Sequence, residues 1–411
     1  MHNYKNCDKY ENINCPKFLV SNNEKNNLYK FIDNNVFIFT MFGCWGTYCR
    51  SEEDKLNIPK INIENLFGET ISYEEDDDRY SSLQAYELLK EYCNNIDTNL
   101  IILAGDNVYT DYNLVEKMGV IRKKFDMFMN EKGISIEDIK DIDKEKIEKI
   151  LKIFKKRYIA DIIYDIEKQI KEGFEDCFGK IDSDFLIGIG NHDIETCNVI
   201  NYQLNYSDTN TKWNLPGLSY NYIYELNDGT KINFIFIDTN LYSGKYFCDA
   251  KGDEDVSNII DKQHEWIEKV LYMNKESWNI IIGHEPVITN RHKNKDKSKE
   301  IKYAIISKLY DFIKKNNKYI DMYMCADEHN QQFINMKNNY IDIPIIISGT
   351  GGAILDKKIY ISKEKDIGET VYNFSSVGFV SNIVDKDKII LSFVNRDDDN
   401  LDKNYYIKWK R

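Results

Sequence analysis

The sequence predicts an α/β protein in which two packed sheets are covered by helices on the outside. Two features carry this expectation. Five short apolar runs, Val36–Gly46, Asn99–Tyr109, Phe185–Asp193, Trp278–Pro286 and Tyr319–Asn330, each read as a buried strand that stops abruptly and then presents polar residues. Helical patterns separate them, whereas from Tyr340 onward the chain is strand after strand: IDIPIIISGTGG, VYNFSS, VGFVSNIV, IILSFV and YYIKWK.

In chain order, residues 1–30 are Asn-rich without a sustained period and are expected to form a tail or strap. Residues 31–411 are expected to form one domain, since no linker rich in Pro or Gly divides them. The first strand ends at Gly43-Cys44-Trp45-Gly46, and Thr47–Tyr80, with the acidic run Glu74–Asp78, reads as a solvated insertion. Ser81–Asn94, with Leu83, Tyr86, Leu89 and Cys93 on one face, reads as a helix returning the chain to the strand at Asn99. Strand, helix, strand in that order predicts a right-handed parallel unit. A helical insert over about 112–178 follows, whose stripe from Ile147 through Leu151, Phe154, Tyr158, Ile162 and Ile166 to Ile170 is expected to pack against the sheet. Tyr220–Leu226 and Lys231–Asp238 flank Asn227-Asp228-Gly229 as a hairpin. Helices over Val256–Asn274 and Lys302–Asn316 then feed the last two motif-bearing strands.

Composition bounds the function. With 411 residues, 42% of them apolar, the chain can bury a large core, and its net charge of -13 argues against nucleic acid as a partner. Nine scattered cysteines, an odd number without CxxC spacing, do not read as a disulfide framework or zinc knuckle and favour reduced thiols. No run approaches the roughly 18 apolar residues of a transmembrane segment, and the N-terminus has no signal-peptide core. The expectation is a cytoplasmic protein as written, or a secretory one had a leader been removed ahead of Met1.

The strand ends carry the chemistry. Of six histidines, His192, His284 and His329 stand at the ends of three of the five runs, beside Asp106, Tyr109, Asn191 and Asp327. Oxygen and imidazole donors gathered at one rim suit a pair of metal ions, and two metals about 3.5–4 Å apart serve phosphate-ester hydrolysis by activating water and neutralising charge. Asp106 is the natural bridge between them. Read one at a time, Asp106 and Asn191 are equally turn formers, Tyr109 a core aromatic, His284 and His329 buried histidines, Cys44 a small buried hydrophobe and Asp327 a salt-bridge partner.

The ordered set GCWG (43–46), GDNVY (105–109), GNHD (190–193), GHEP (283–286) and ADEH (326–329) resembles the calcineurin-like metallophosphoesterases, and within them the purple acid phosphatases of tartrate-resistant type. KWNLPGLSYNY (212–222), FIDTN (236–240) and SGTGG (348–352) look like landmarks of the same family. The resemblance implies a four-layer αββα sandwich of two mixed sheets flanked by helices. It also implies one metal held by Cys44, Asp106, Tyr109 and His329, and a second by Asp106, Asn191, His284 and Asp327. Iron would sit beside Tyr109, with zinc, iron or manganese at the second position. A metal-bound hydroxide would attack phosphorus while His192 protonates the leaving oxygen, and Arg291 and His292 would face the substrate, a phosphorylated small molecule or phosphoprotein. In this chain Cys44 stands where the family has Asp and Asp327 where it has His; both replacements remain metal donors.

Two functions follow from these residues: a phosphate-monoester hydrolase, or a catalytically impaired relative kept as an interaction scaffold for a protein partner. The KWNLPGLSYNY region also resembles the glideosome-associated acid-phosphatase-like proteins, which have altered ligands too. The Lys-dense Arg291–Lys302 stretch reads as a solvated loop, or as a basic lip that draws anionic substrate to an acidic protein.

Overall fold

Each of the five apolar runs forms a strand, but they are divided between two sheets. The computed structural model describes residues 29–46, 62–64, 70–72, 82–109, 166–194, 197–243, 256–290, 304–338, 341–353, 355–356, 368–396 and 404–408. One six-stranded sheet has the order β18-β17-β16-β2-β5-β6, made of β2 (Phe37–Phe42), β5 (Leu100–Ala104), β6 (Asp184–Gly188), β16 (Gly378–Val384), β17 (Lys388–Asn395) and β18 (Asn404–Lys408). The eight-stranded sheet has the order β1-β7-β8-β9-β12-β14-β13-β15. Its members are β1 (Tyr29–Ile32), β7 (Tyr220–Leu226), β8 (Lys231–Phe236), β9 (Trp278–Ile282), β12 (Met322–Cys325), β13 (Gln331–Asn338), β14 (Ile341–Ser348) and β15 (Glu369–Phe374). Two minor antiparallel pairs complete the strands: β3 (Asn62–Glu64) with β4 (Thr70–Ser72), and β10 (Ile288–Thr289) with β11 (Ala304–Ile305).

The two-residue period of a strand explains how the layers form. In β12, Met322 and Met324 face the core between the sheets, while Tyr323 and Cys325 face outward; Ile280 and Ile282 against Ile281 repeat the division in β9. Across the inter-sheet core Phe37 meets Tyr224 with centroids 4.6 Å apart, and Phe39 meets Phe234 edge-on at 4.9 Å. Fully burying one such side chain contributes about 1.5–3 kcal/mol. Helices α4 (Val256–Met273) and α5 (Ser307–Asn316) cover the outer face of the eight-stranded sheet with Ile267, Val270, Leu271, Leu309, Phe312 and Ile313. Over the six-stranded sheet lies α1 (Leu83–Asn95), burying Ala85 and Leu89 and setting Tyr92 edge-on to Phe379 at 5.2 Å. The result is the expected αββα arrangement.

Several expectations shift in detail. β2 and β5 pair in parallel through α1, as the strand–helix–strand order requires. The helix expected from Lys302 starts at Ser307, because Ala304 and Ile305 pair with Thr289 and Ile288 instead. Tyr29 and Lys30, placed in the tail, belong to β1, an edge strand parallel to β7. Within the expected solvated insertion 47–80, β3 and β4 form a short hairpin. Of the helical insert, only 166–178 falls among the described residues, and it ends in a π-helical turn (Ile170–Glu175) followed by a 3-10 turn (Phe178–Lys180). Helix α2 (Cys197–Ser207), the four-residue α3 (Asn240–Ser243) and strand β13 had no counterpart in the sequence reading.

Register sets where the chemistry lies. β2, β5 and β6 are parallel and end level, Phe42 beside Leu103 and Ala104 beside Gly188. β9 and β12 are parallel in the other sheet, Ile282 beside Met324. Both sets of carboxyl ends open on the same edge of the sandwich, where the Gly43 N–H donates to the Ser348 carbonyl at 2.9 Å and ties one sheet to the other.

Candidate metal centre

Cys44, Asp106 and Asp327 are the non-glycine residues with positive φ among the described residues, at 55°, 53° and 58°. Each is the second residue after its strand, directly following a Gly or Ala. Left-handed backbone at a side-chain-bearing residue costs about 1–3 kcal/mol and persists where the surroundings hold it. Here it bends three strand ends, two from one sheet and one from the other, so that their side chains face a common point. Gly105, at φ 88°, makes the matching turn before Asp106.

At that point Sγ of Cys44, the carboxylate of Asp106 and the imidazole of His284 offer donor atoms within 4.8 Å of one another, all buried. The two oxygens of Asp106 serve different neighbours. Oδ2 accepts the Tyr109 hydroxyl at 3.1 Å and the Cys44 thiol at 3.9 Å. Oδ1 lies 3.2 Å from His284 Nε2 and accepts the His192 backbone N–H at 3.0 Å. Asp327 joins from the eight-stranded sheet, its Oδ1 3.7 Å from His284 Nε2. His192 stands at the open side, its Nε2 4.0 Å from Asp106 Oδ2 and its ring 4.4 Å from that of Tyr109. Two residues beyond Asp327, on the same bend, His329 is half-buried. Arg291 and His292, expected at the substrate side, lie outside the described residues.

Burial would raise the Asp106 carboxyl, but the His284 and His192 imidazoles and their hydrogen bonds overcome it and hold the group far below the usual carboxylate range. Burial would likewise lower His284, yet the Asp106 and Asp327 carboxylates lift it to about 9. Burial, with the Asp106 charge beside them, pushes the Cys44 thiol and Tyr109 phenol well up. Two carboxylates thus face imidazoles, a thiol and a phenol, a set of donors that a metal cation can take up. His284 Nδ1 donates to the Ala104 carbonyl at 2.8 Å, which turns Nε2 toward the cluster and Asp106 Oδ1. The Asn191 Oδ1 is buried with no hydrogen-bond partner, an oxygen that a cation could satisfy.

A second ring of residues aims the first, and the sequence reading passed over it. Asp193 is fully buried and accepts five hydrogen bonds: from Asn107 N, Val108 N and Gln203 Nε2 on one oxygen, and from Gly190 N and Asn107 Nδ2 on the other, at 2.7–3.2 Å. It therefore locks the loop carrying Asp106 to the loop carrying Asn191 and His192. Trp45 Nε1 donates to Asn107 Oδ1 at 3.0 Å, and the Thr239 hydroxyl accepts the His284 and Glu285 backbone N–H groups at 3.3 and 3.0 Å. The last letter of GNHD was a signal for Asp193 and the FIDTN landmark one for Thr239; Gln203 had none.

This fold with this rim defines a class. The family model for calcineurin-like phosphoesterases matches residues 79–331, more than half of the chain, and the chain belongs to that family. Its similarity to purple acid phosphatases is distant. Tartrate-resistant acid phosphatase type 5 of Sus scrofa is 22% identical over 204 residues, 48% of this chain and 56% of that protein, so the chain spans little more than half of that relative. Among solved structures, GAP50, the anchor in the inner membrane complex of Plasmodium, superposes with a TM-score of 0.55 at 14% identity, covering 92% of this chain and 90% of that one. Purple acid phosphatase PPD1 from yellow lupin (Lupinus luteus) seeds gives 0.49 at 12% identity, over 92% and 54%. These structural likenesses are of fold. Among the described residues no helix is long and apolar enough to cross a membrane.

Proposed function

We propose that the protein is a metal-dependent phosphoesterase that hydrolyses phosphate monoesters, on small molecules or phosphoproteins, at the rim centred on Asp106. The observation that carries this reading is the division of the Asp106 carboxylate, one oxygen toward Cys44 and Tyr109 and the other toward His284, which is the layout of a bridge between two cations. Cys44, Asp106, Tyr109 and His329 would hold one metal, with iron expected, and Asp106, Asn191, His284 and Asp327 a second, with zinc, iron or manganese expected. A bound pair supplies a nucleophile at neutral pH and neutralises charge on the phosphate oxygens. His192, on the open side, would hold the proton for the departing alkoxide. Its backbone N–H on Asp106 Oδ1 keeps it there.

A second reading has one observation behind it. Cys44 and Tyr109 already donate to Asp106, and the His284 imidazole lies 3.2 Å from its other oxygen, so these side chains already serve as partners to one another. Under that reading the protein is a scaffold for a protein partner, and the similarity in fold to an anchor protein of Plasmodium accords with it. Metal analysis of the purified protein, with turnover of p-nitrophenyl phosphate across pH and an Asp106→Asn control, separates the two. Two metals per chain and activity abolished by Asp106→Asn support the hydrolase; no metal and no turnover leave the scaffold.

A further inference from the structure

The Tyr109 phenol is held from a position that no motif marks. Gln169 lies on the segment that returns from residues 110–165 and is only 3% exposed. Its amide grips the Tyr109 main chain on both sides: the Tyr109 N–H donates to Oε1 at 2.9 Å, and Nε2 donates to the Tyr109 carbonyl at 2.6 Å. The same N–H also reaches the Gly46 carbonyl at 3.2 Å. The turn after Gln169 is π-helical, with the Asp176 N–H on the Lys171 carbonyl five residues back at 2.9 Å. Such widened turns recur at functional sites because one extra residue re-aims the side chains around it. This one is wedged in place: Phe174 packs edge-on against Trp213 at 4.9 Å and lies 6.3 Å from the ring of Trp45, the residue after Cys44.

We propose that Gln169 is a positioning residue of the metal centre, clamping the Tyr109 main chain so that the phenol meets Asp106. The inference rests on the reading of Tyr109 as a metal-side residue given above. Its physical basis is leverage. The hydroxyl lies at the far end of the ring, so a main-chain tilt of about 10° moves it by about 1 Å, which is more than a working ligand set tolerates. A buried amide that satisfies both main-chain groups of Tyr109 removes that tilt, and an apolar side chain of the same size would not.

The test is Gln169→Met, which keeps volume and removes both hydrogen bonds, together with Gln169→Glu, which keeps the acceptor for the Tyr109 N–H but sets an oxygen against the Tyr109 carbonyl. Metal affinity is measured with Fe and Zn by equilibrium dialysis, the phenolate-to-iron charge-transfer band by visible absorption, and folding by thermal melts of the metal-free proteins. Expected is a 10–100-fold weaker affinity in both variants, the range for residues that orient metal ligands, with a shifted or bleached band. A lowered melting temperature with affinity and band unchanged would overturn the proposal. The wild-type metal count tests the hydrolase reading on its own. The crystal structure of metal-free Gln169→Met tests the clamp on its own: a displaced Tyr109 hydroxyl supports it, and a hydroxyl still on Asp106 Oδ2 refutes it.

Discussion

Asp238 follows β8 in the FIDTN stretch and is fully buried. Its Oδ1 accepts the Asn240 backbone N–H and the Asn240 side-chain amide, both at 3.0 Å, whereas Oδ2 is buried with no hydrogen-bond partner. Burial, reinforced by the nearby Glu285 charge against the two Asn240 hydrogen bonds, lifts this carboxyl from 3.8 to about 7. The folded state therefore keeps a proton that the unfolded chain releases near pH 4. Stability from this group is full below that pH and is lost as pH rises through about 7. Between pH 5 and pH 7 the loss is two pH units at 1.36 kcal/mol each, about 3 kcal/mol at most, against a total of about 5–15 kcal/mol for a typical domain. Asp238→Asn retains the acceptor for Asn240 and cannot ionise. Urea unfolding of variant and wild type at pH 5 and pH 8, followed by tryptophan fluorescence, should show the variant gaining on wild type by up to that amount at the higher pH. An equal difference at both pH values, or one that moves the other way, would refute the reasoning.

Three further outcomes are expected at the rim. Asp193→Asn can offer only one acceptor oxygen to five donors, so at least one buried N–H is stranded at a cost of about 1–3 kcal/mol; a lowered melting temperature together with reduced metal content is expected, and an unchanged melt would count against the network. A methyl at Gly190 would collide with Asp106 Oδ1 and the Asp106 backbone nitrogen, and would lie 2.8 Å from His284 Cε1. Gly190→Ala should thus cost about 1–3 kcal/mol by overpacking and lose metal, as dialysis would show; wild-type loading would mean the loops yield more easily than their contacts suggest. Cys44→Asp puts a second buried carboxylate beside Asp106, so the metal-free variant should melt lower than wild type. Added Mn²⁺ or Zn²⁺ should raise its melting temperature by more than that of wild type, and equal response to the metals would speak against position 44 as a donor.

The strands that bear the motifs were legible because burial on both faces writes a continuous apolar run; β2, β5, β9 and β12 fall inside the runs read from sequence, and β6 begins one residue ahead of its run, at Asp184. Strand β13 was not, because QQFINMKN buries Gln331 and Gln332, which look exposed to any hydropathy pattern; Gln332 instead bonds Thr289 and Asn330 at 3.1 and 2.9 Å. Helix α2, CNVINYQLNYS, escaped because Asn, Tyr and Ser are weak helix formers and tertiary packing of Val199, Ile200 and Gln203 overrides them. At the rim, donor identity was visible residue by residue. Gln169 was invisible, since a polar residue on a helical stripe carries no mark of the main chain it will grip 60 positions away.

The amino-acid order by itself determined which donors this protein owns, that strands deliver them, and the family to which it belongs, because periodicity and short motifs are local properties. Only the pairing of β2, β5 and β6 decided that Asp106 would meet Cys44 and that Asp193 would lock the loops. Only the packing of the second sheet on the first set His284 and Asp327 against it, with Cys44, Asp106 and Asp327 bent into left-handed backbone and Gln169 gripping Tyr109. Most of those contacts join residues tens to hundreds of positions apart, and their geometry exists only once the sheets have assembled.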